Sequence, residues 1–316
     1  MKTCGASVEA CIPDDRSRLL VLEASEADAA AGGLRQDFVV LLRNVLPGRA
    51  DALLHVVAEK LGLLEGLRLQ AGFAGLMGHR QRVGEYRMTV NRRLDYQFIP
   101  PHSEGSSFVN MQLASFYCFE NSTDGGETLL MNVDDASEAW STLREEVTRI
   151  APGSRSLAPL ELKQARALYR LHSATEVQPD DRAIRERSTS TPGLTLVDVL
   201  APARRTRSRI LERDLYAYWV SIAIRDQDAL PFFVSLLKQA DLLRQPVGGL
   251  EIQDMDNVAE QRVWSSGVDY NTLFRCKIRY KLAAGDLILH NNLTWAHSAS
   301  NWTPGSGVRD LSAAFA

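Results

Sequence analysis

Phe98-Ile-Pro-Pro-His-Ser-Glu-Gly-Ser-Ser107 carries the triplet His102-Ser103-Glu104 at the mouth of a strand-like run. In a strand, residues i and i+2 project to the same side. His102 and Glu104 therefore offer an imidazole and a carboxylate to one point in space. A second imidazole, His297, stands almost 200 residues later in Asn292-Leu-Thr-Trp-Ala-His297, and Arg309 follows it by twelve residues. Two histidines and one carboxylate leave three coordination positions open, which is the usual cradle of non-heme Fe(II).

Outward from the triplet, residues 108–119 alternate in the manner of a half-buried strand, and so do residues 83–90. Residues 37–45 read as a buried strand. Leu53, Leu54, Val57, Leu61 and Leu64 recur at helical spacing and predict an amphipathic helix over 50–64. Residues 19–31 mix Leu, Ala and acidic side chains, predicting a helix closed by Gly32-Gly33. From Arg262 onward strands return, at 273–280, 286–290 and 308–315. The stretch between differs in character, with helices expected at 137–150, 159–171 and 228–243 and a polar surface loop over 178–193. The pattern predicts one domain over residues 1–316. Its β-rich core would span about 37–142 and 262–316, interrupted by a mostly helical insert at about 143–261.

Composition narrows the function classes. Hydrophobic residues make up 45% and charged residues 24%, ordinary for a globular chain of 316 residues with a large core. A formal net charge of −3 supplies no global basic field for nucleic acid or an anionic membrane. The first fifteen residues lack the apolar stretch of a signal peptide, and no apolar run approaches the length of a membrane span. Cys4, Cys11, Cys118 and Cys276 are too widely spaced for a zinc knuckle or a disulfide framework. Cys118 and Cys276 read as small buried hydrophobes. A soluble protein of the reducing cytoplasm is the expectation.

A lone H-x-E triplet arises by chance in many chains. Here it is followed in order by Gly125-Gly126-Glu127-Thr128, by His297 and by Arg309, each at a strand end or in an adjoining loop. The segments HSEGSSFVNMQLASFYCFENSTDGGETLLMNVDDA and GDLILHNNLTWAHSASNWTPGSGVRDLSAAF resemble the Fe(II)/2-oxoglutarate dioxygenases of the taurine dioxygenase and clavaminate synthase superfamily. The match covers roughly residues 85–142 and 280–316, about a third of the chain. Glu in place of Asp in the triplet is closer to the clavaminate synthase branch. The resemblance implies an α+β fold, a distorted double-stranded β-helix (jelly-roll, cupin-like) with flanking helices and an insert. It implies that His102, Glu104 and His297 bind Fe(II), and that Arg309 and Thr128 hold the distal carboxylate of the co-substrate 2-oxoglutarate. A guanidinium fork suits that carboxylate and stays charged when buried. Gly125 and Gly126 would let the backbone turn before Thr128. With O2, such an enzyme hydroxylates or otherwise oxidises an unactivated C–H bond of a small molecule, here expected to be an amino acid or natural-product intermediate.

Other residues compete for these roles. His290 ends a strand seven residues before His297, but stands nineteen residues from Arg309, farther than the family's spacing. His79 lies in a loop within reach of a pocket, with a surface role as the plainer reading, and His55 sits in an amphipathic helix and reads as structural. Halogenases on this scaffold replace the carboxylate with Gly or Ala, so Glu104 disfavours chlorination. Ala313 occupies the position where a second arginine would grip a sulfonate. Arg92-Arg93 and the run Arg204, Arg205, Arg207, Arg209 are candidate anion contacts, with a solvated basic face as the plainer reading. Tyr96, Phe98 and Phe108 flank the triplet and would line a pocket or pack in the core. Two other classes remain: a metal-dependent hydrolase or isomerase on a cupin-like barrel, and a non-catalytic binding protein descended from an oxygenase. Hydrolysis has no need of a dicarboxylate clamp.

Overall fold

A computed structural model describes residues 12–77, 80–90, 94–169, 171 and 176–316. Two sheets face each other across a shared core. The larger has six strands in the order β1 (Leu19–Glu23), β2 (Val39–Arg43), β13 (Leu287–Asn291), β5 (Leu113–Asn121), β15 (Arg309–Phe315) and β3 (Met88–Thr89). The smaller has four, in the order β12 (Phe274–Tyr280), β6 (Thr128–Val133), β14 (Trp295–Ala299) and β4 (Ile99–His102). Within them the pairings are antiparallel except β1 with β2. That parallel pair needs a crossover, supplied by α1 (Ala27–Arg35).

Period-2 alternation decides which core each strand feeds. In β2, Val39 and Leu41 point between the sheets, where they meet Leu130, Ile278, Ile288 and Trp295. Val40 and Leu42 point outward into a layer with Leu53, Leu54 and Val57 of α2 (Ala50–Lys60). Burial on both faces explains why β2 reads as an unbroken apolar run. In β6, Leu130 faces the inter-sheet core, while Leu129, Met131 and Val133 face a third layer. That layer holds the short helix α5 (Val220–Ala223) and α6 (Ala229–Gln239), so the insert covers the outside of the smaller sheet. A third helix, α3 (Leu64–Met77), packs along β15.

Four expectations need correction. Residues 19–31 form β1 followed by α1 rather than one helix, and Gly32-Gly33 lie inside α1. Pairing with β2 claims Leu19–Glu23 for a strand. Gly33 allows the helix to approach it, since a Cβ there would stand 2.6 Å from Leu20 Cδ2. The insert is not mostly helical. It divides its regular structure evenly between α-helices, including α4 (Pro159–Tyr169), and strands. Its sheet runs β7 (Arg144–Ile150), β9 (Thr195–Pro202), β8 (Arg182–Ser188), with a small β10 (Thr206–Arg207) and β11 (Asp214–Leu215) pair beside it. The expected helix 137–150 is a short 3-10 turn plus β7, and the expected loop 178–193 contains β8. Charged side chains hide both strands from a hydrophobic reading. Arg149 forms a buried ion pair with Asp181, and Arg185 and Arg187 converge on Asp198 of β9. Among the described residues, no helix is long and apolar enough to cross a membrane.

Candidate metal centre and co-substrate pocket

The antiparallel register of β4 and β14 places His102 directly opposite His297. Side chains directly opposite on one face of such a pair are in contact range, and the two rings stand 4.5 Å apart between centroids. Glu104 follows two residues after His102, beyond the end of β4. Its backbone is held in place by Asn292, whose Oδ1 accepts from Glu104 N at 2.9 Å and whose Nδ2 donates to Glu104 O at 2.8 Å. The donor atoms of His102, Glu104 and His297 lie within 4.8 Å of one another, the one such cluster of three among the described residues.

Hydrogen bonding prepares each side chain. His102 Nδ1 donates to Pro100 O at 2.8 Å, which turns its Nε2 toward Glu104 Oε2, 3.6 Å away. Arg80 donates to the other carboxylate oxygen, Oε1, at 2.9 Å. Desolvation raises the Glu104 pKa, but the pull of His102 and Arg80 outweighs it and the carboxyl sits below its usual range. Burial, with help from His102, His290 and Arg80, holds His297 well below the ordinary histidine value. Burial alone pushes His290 down to about 3. Both rings are neutral at physiological pH, the state in which an imidazole can ligate a metal.

A cavity of about 600 Å³ opens over this cluster, and Thr128 and Arg309 line it together with the three donors. Thr128 begins β6 and pairs with Ala299 of β14, two residues from His297. Arg309 begins β15, donates from Nε to Gly126 O at 3.2 Å and stacks over Trp302. Desolvation lowers its pKa to about 10, so it remains charged. Among the described residues its guanidinium has no carboxylate partner, a cation placed to receive one from a ligand. Gly126 makes room for it: φ is +71° and a Cβ would lie 2.8 Å from Arg309 Cδ. Gly126→Ala is expected to lower stability by about 1–2 kcal/mol, the cost of a left-handed non-glycine residue. It should also weaken binding of any ligand held by Arg309, which calorimetry of the folded variant would register.

The five residues singled out from the sequence thus share one cavity. The aromatic expectations fare differently. Phe98 is buried against Phe233 and Tyr96 packs on the same core, while Phe108 is half-exposed. The cavity's aromatic walls are Phe116, Trp302 and Phe315 instead. His55 bonds Tyr86 OH at 2.8 Å, as a structural histidine would. Arg205 pairs with Asp135 and Arg207 with Asp214, so these members of the basic run are engaged in ion pairs outside the cavity. Cys118 and Cys276 are buried free thiols, each pushed up to about 11 by desolvation. Cys4, Cys11, His79, Arg92 and Arg93 lie outside the described residues. Sequence reasoning missed Arg80 and Asn292. Neither belongs to a periodic pattern, and Asn292 signals itself only as a polar residue directly after a buried strand.

No family model matches the chain, and no curated protein matches it. Among solved structures it is similar to AAD-2 in complex with Mn(II) and N-oxalylglycine, at 12% identity and TM-score 0.40 over 98% of this chain and 97% of that one. It is also similar to the PvcB protein from Pseudomonas aeruginosa, at 12% identity and TM-score 0.40 over 99% and 93% of the two chains. A taurine dioxygenase from Burkholderia xenovorans shares 14% identity, with TM-score 0.36 over 93% and 80%. At this overlap a functional reading has to stand on the chain's own side chains.

Proposed function

We propose that the chain is an Fe(II)- and 2-oxoglutarate-dependent oxygenase that hydroxylates or otherwise oxidises a C–H bond of a small polar molecule, with an amino acid or natural-product intermediate as the first candidate. In this reading the two facing sheets are a distorted double-stranded β-helix. The observation that carries the proposal is the combination in one cavity of the His102–Glu104–His297 cluster with a desolvated Arg309 that lacks a carboxylate partner among the described residues. A hydrolase or isomerase would use the cluster but not the clamp.

The residues fit the group they would hold. Nε2 of His102, Oε2 of Glu104 and Nε2 of His297 would ligate Fe(II), an ion that, when bound with 2-oxoglutarate and O2, supplies the oxidising power for C–H cleavage with release of succinate and CO2. Arg80 occupies Oε1 of Glu104, which leaves one carboxylate oxygen to ligate and keeps positions open for the co-substrate. Arg309 and Thr128 would bind the distal carboxylate of 2-oxoglutarate, Arg309 as a charged fork and Thr128 through its hydroxyl. Val220, Ala223 and Ile224 bring the insert to the cavity wall, where they would exclude water and shape the substrate's site. The free thiols suit a reducing, cytoplasmic setting.

Adding Fe(II) and then 2-oxoglutarate to the apoprotein without oxygen should produce the weak visible charge-transfer band of the chelate. Folded protein with saturating ligands and no band would sink the assignment.

A further inference from the structure

We propose that His290 is a positioning residue for the metal: its Nε2 accepts the Nδ1–H of His297 and so holds that ring with Nε2 presented to His102 and Glu104. The inference rests on the reading of the triad as a metal centre and adds a residue to it. His290 Nε2 and His297 Nδ1 are 3.4 Å apart, and the rings meet edge to face with centroids 5.4 Å apart. Among the described residues, His290 is the one hydrogen-bond partner of His297 Nδ1. The contact follows from strand alternation. Leu287 and Leu289 of β13 point to the helical layer, so Ile288 and His290 point between the sheets, toward β14. Phe116 fixes the arrangement from the side. It lies nearly parallel to His290 at 6.0 Å and edge-on to His297 at 5.0 Å.

The chemistry sets the direction of the bond. A neutral imidazole has one N–H and one lone pair. If Nε2 of His297 is to ligate, its proton sits on Nδ1, and His290 must accept it. His290 then carries its own proton on Nδ1, a wholly buried atom with no hydrogen-bond partner among the described residues. An orphaned buried N–H is costly and rare. In either tautomer His290 Nδ1 is without a partner among the described residues, so the ring makes its polar contact through Nε2 toward His297. Ligating histidines usually lean on a carboxylate, a carbonyl or water. Here a neutral ring takes that place, and it adds no negative charge to the ligand set.

The test compares Zn(II) affinity, by competition with a colorimetric chelator, for the wild-type chain, His290→Phe and His290→Gln. Phenylalanine keeps a ring beside Phe116 but cannot accept, so affinity should fall by about 10–100-fold, the usual cost of losing a ligand's hydrogen-bond partner. Glutamine retains an acceptor and should recover most of the loss. A Phe variant that binds as tightly as wild type overturns the proposal. So does a Gln variant as weak as the Phe variant at equal thermal stability, since packing alone would then explain both. Nitrogen-15 spectra of the Zn(II)-loaded wild type give a reading that needs no variant: both rings should carry their proton on Nδ1, and a proton on Nε2 of His290 overturns the assignment. A wild-type chain that binds no Zn(II) would fail differently, removing the metal centre itself.

Discussion

His297→Ala is expected to abolish Fe(II) binding and, with it, the anaerobic charge-transfer band. Three donors converge within 4.8 Å in the whole cluster, and removing one leaves only His102 and Glu104, both on a single short segment. The loss should therefore exceed the roughly 10–100-fold that removal of a ligand's hydrogen-bond partner costs. A control separates ligand loss from misfolding. Metal present at 100 times its dissociation constant stabilises a folded chain by about 2.7 kcal/mol, a rise in midpoint of roughly 5 °C for a chain of this size. Wild type should show that rise with Co(II) as a redox-stable substitute for iron. His297→Ala should melt cooperatively and show none. A variant that still melts higher with Co(II) would mean that His297 is not a ligand.

Arg309→Met is expected to leave metal binding intact and to weaken 2-oxoglutarate by about 2–5 kcal/mol, or roughly 30- to 5,000-fold, the range for truncating one partner of a buried charge pair. Methionine keeps the apolar stem against Trp302 and removes only the guanidinium. Arg309→Lys keeps a charge without the fork and should fall between the two. A second consequence follows from burial. Without ligand, Arg309 is a desolvated cation with no carboxylate partner among the described residues, an arrangement that costs free energy. The ligand-free Met variant should melt no lower than wild type. Calorimetric titration with 2-oxoglutarate decides the first point. Unchanged affinity would show that the clamp is elsewhere.

What could be read from the sequence, and what could not, follows physical lines. β2, β5, β12, β13 and β15 announce themselves because core strands must present apolar side chains, alternating where one face is open and unbroken where both are covered, as at Val39 through Leu42. The candidate ligands and clamp were legible because short local spacings carry them: two residues separate His102 from Glu104, and twelve separate His297 on β14 from Arg309, which begins β15 in the facing sheet. The insert was not. Residues 144–150, Arg-Glu-Glu-Val-Thr-Arg-Ile, favour a helix by local propensity, and only pairing with β9 and the buried Arg149–Asp181 ion pair make them a strand. Long-range partners leave no local trace either. Arg80 reaches Glu104 across 24 positions, and Asn292 reaches it across 188. His290 was visible only as a rival for the ligand position that it instead supports in the present reading.

Ser103, between the two first candidate ligands, has both backbone groups committed to the insert. Its N–H donates to Tyr218 O at 2.6 Å, and its carbonyl accepts from Val220 N at 2.8 Å. The wall that would face a substrate is thus stitched to the loop that would hold iron. For protein engineering this fixes a boundary. An insert transplanted from another chain must bring an extended segment at 218–219 that enters a helix at 220 and can make the same two bonds, or the spacing of His102 and Glu104 will shift with every change of specificity. Diversification upstream of Tyr218 or beyond Ile224 leaves that seam intact, and libraries built there can alter the cavity without loosening its metal end.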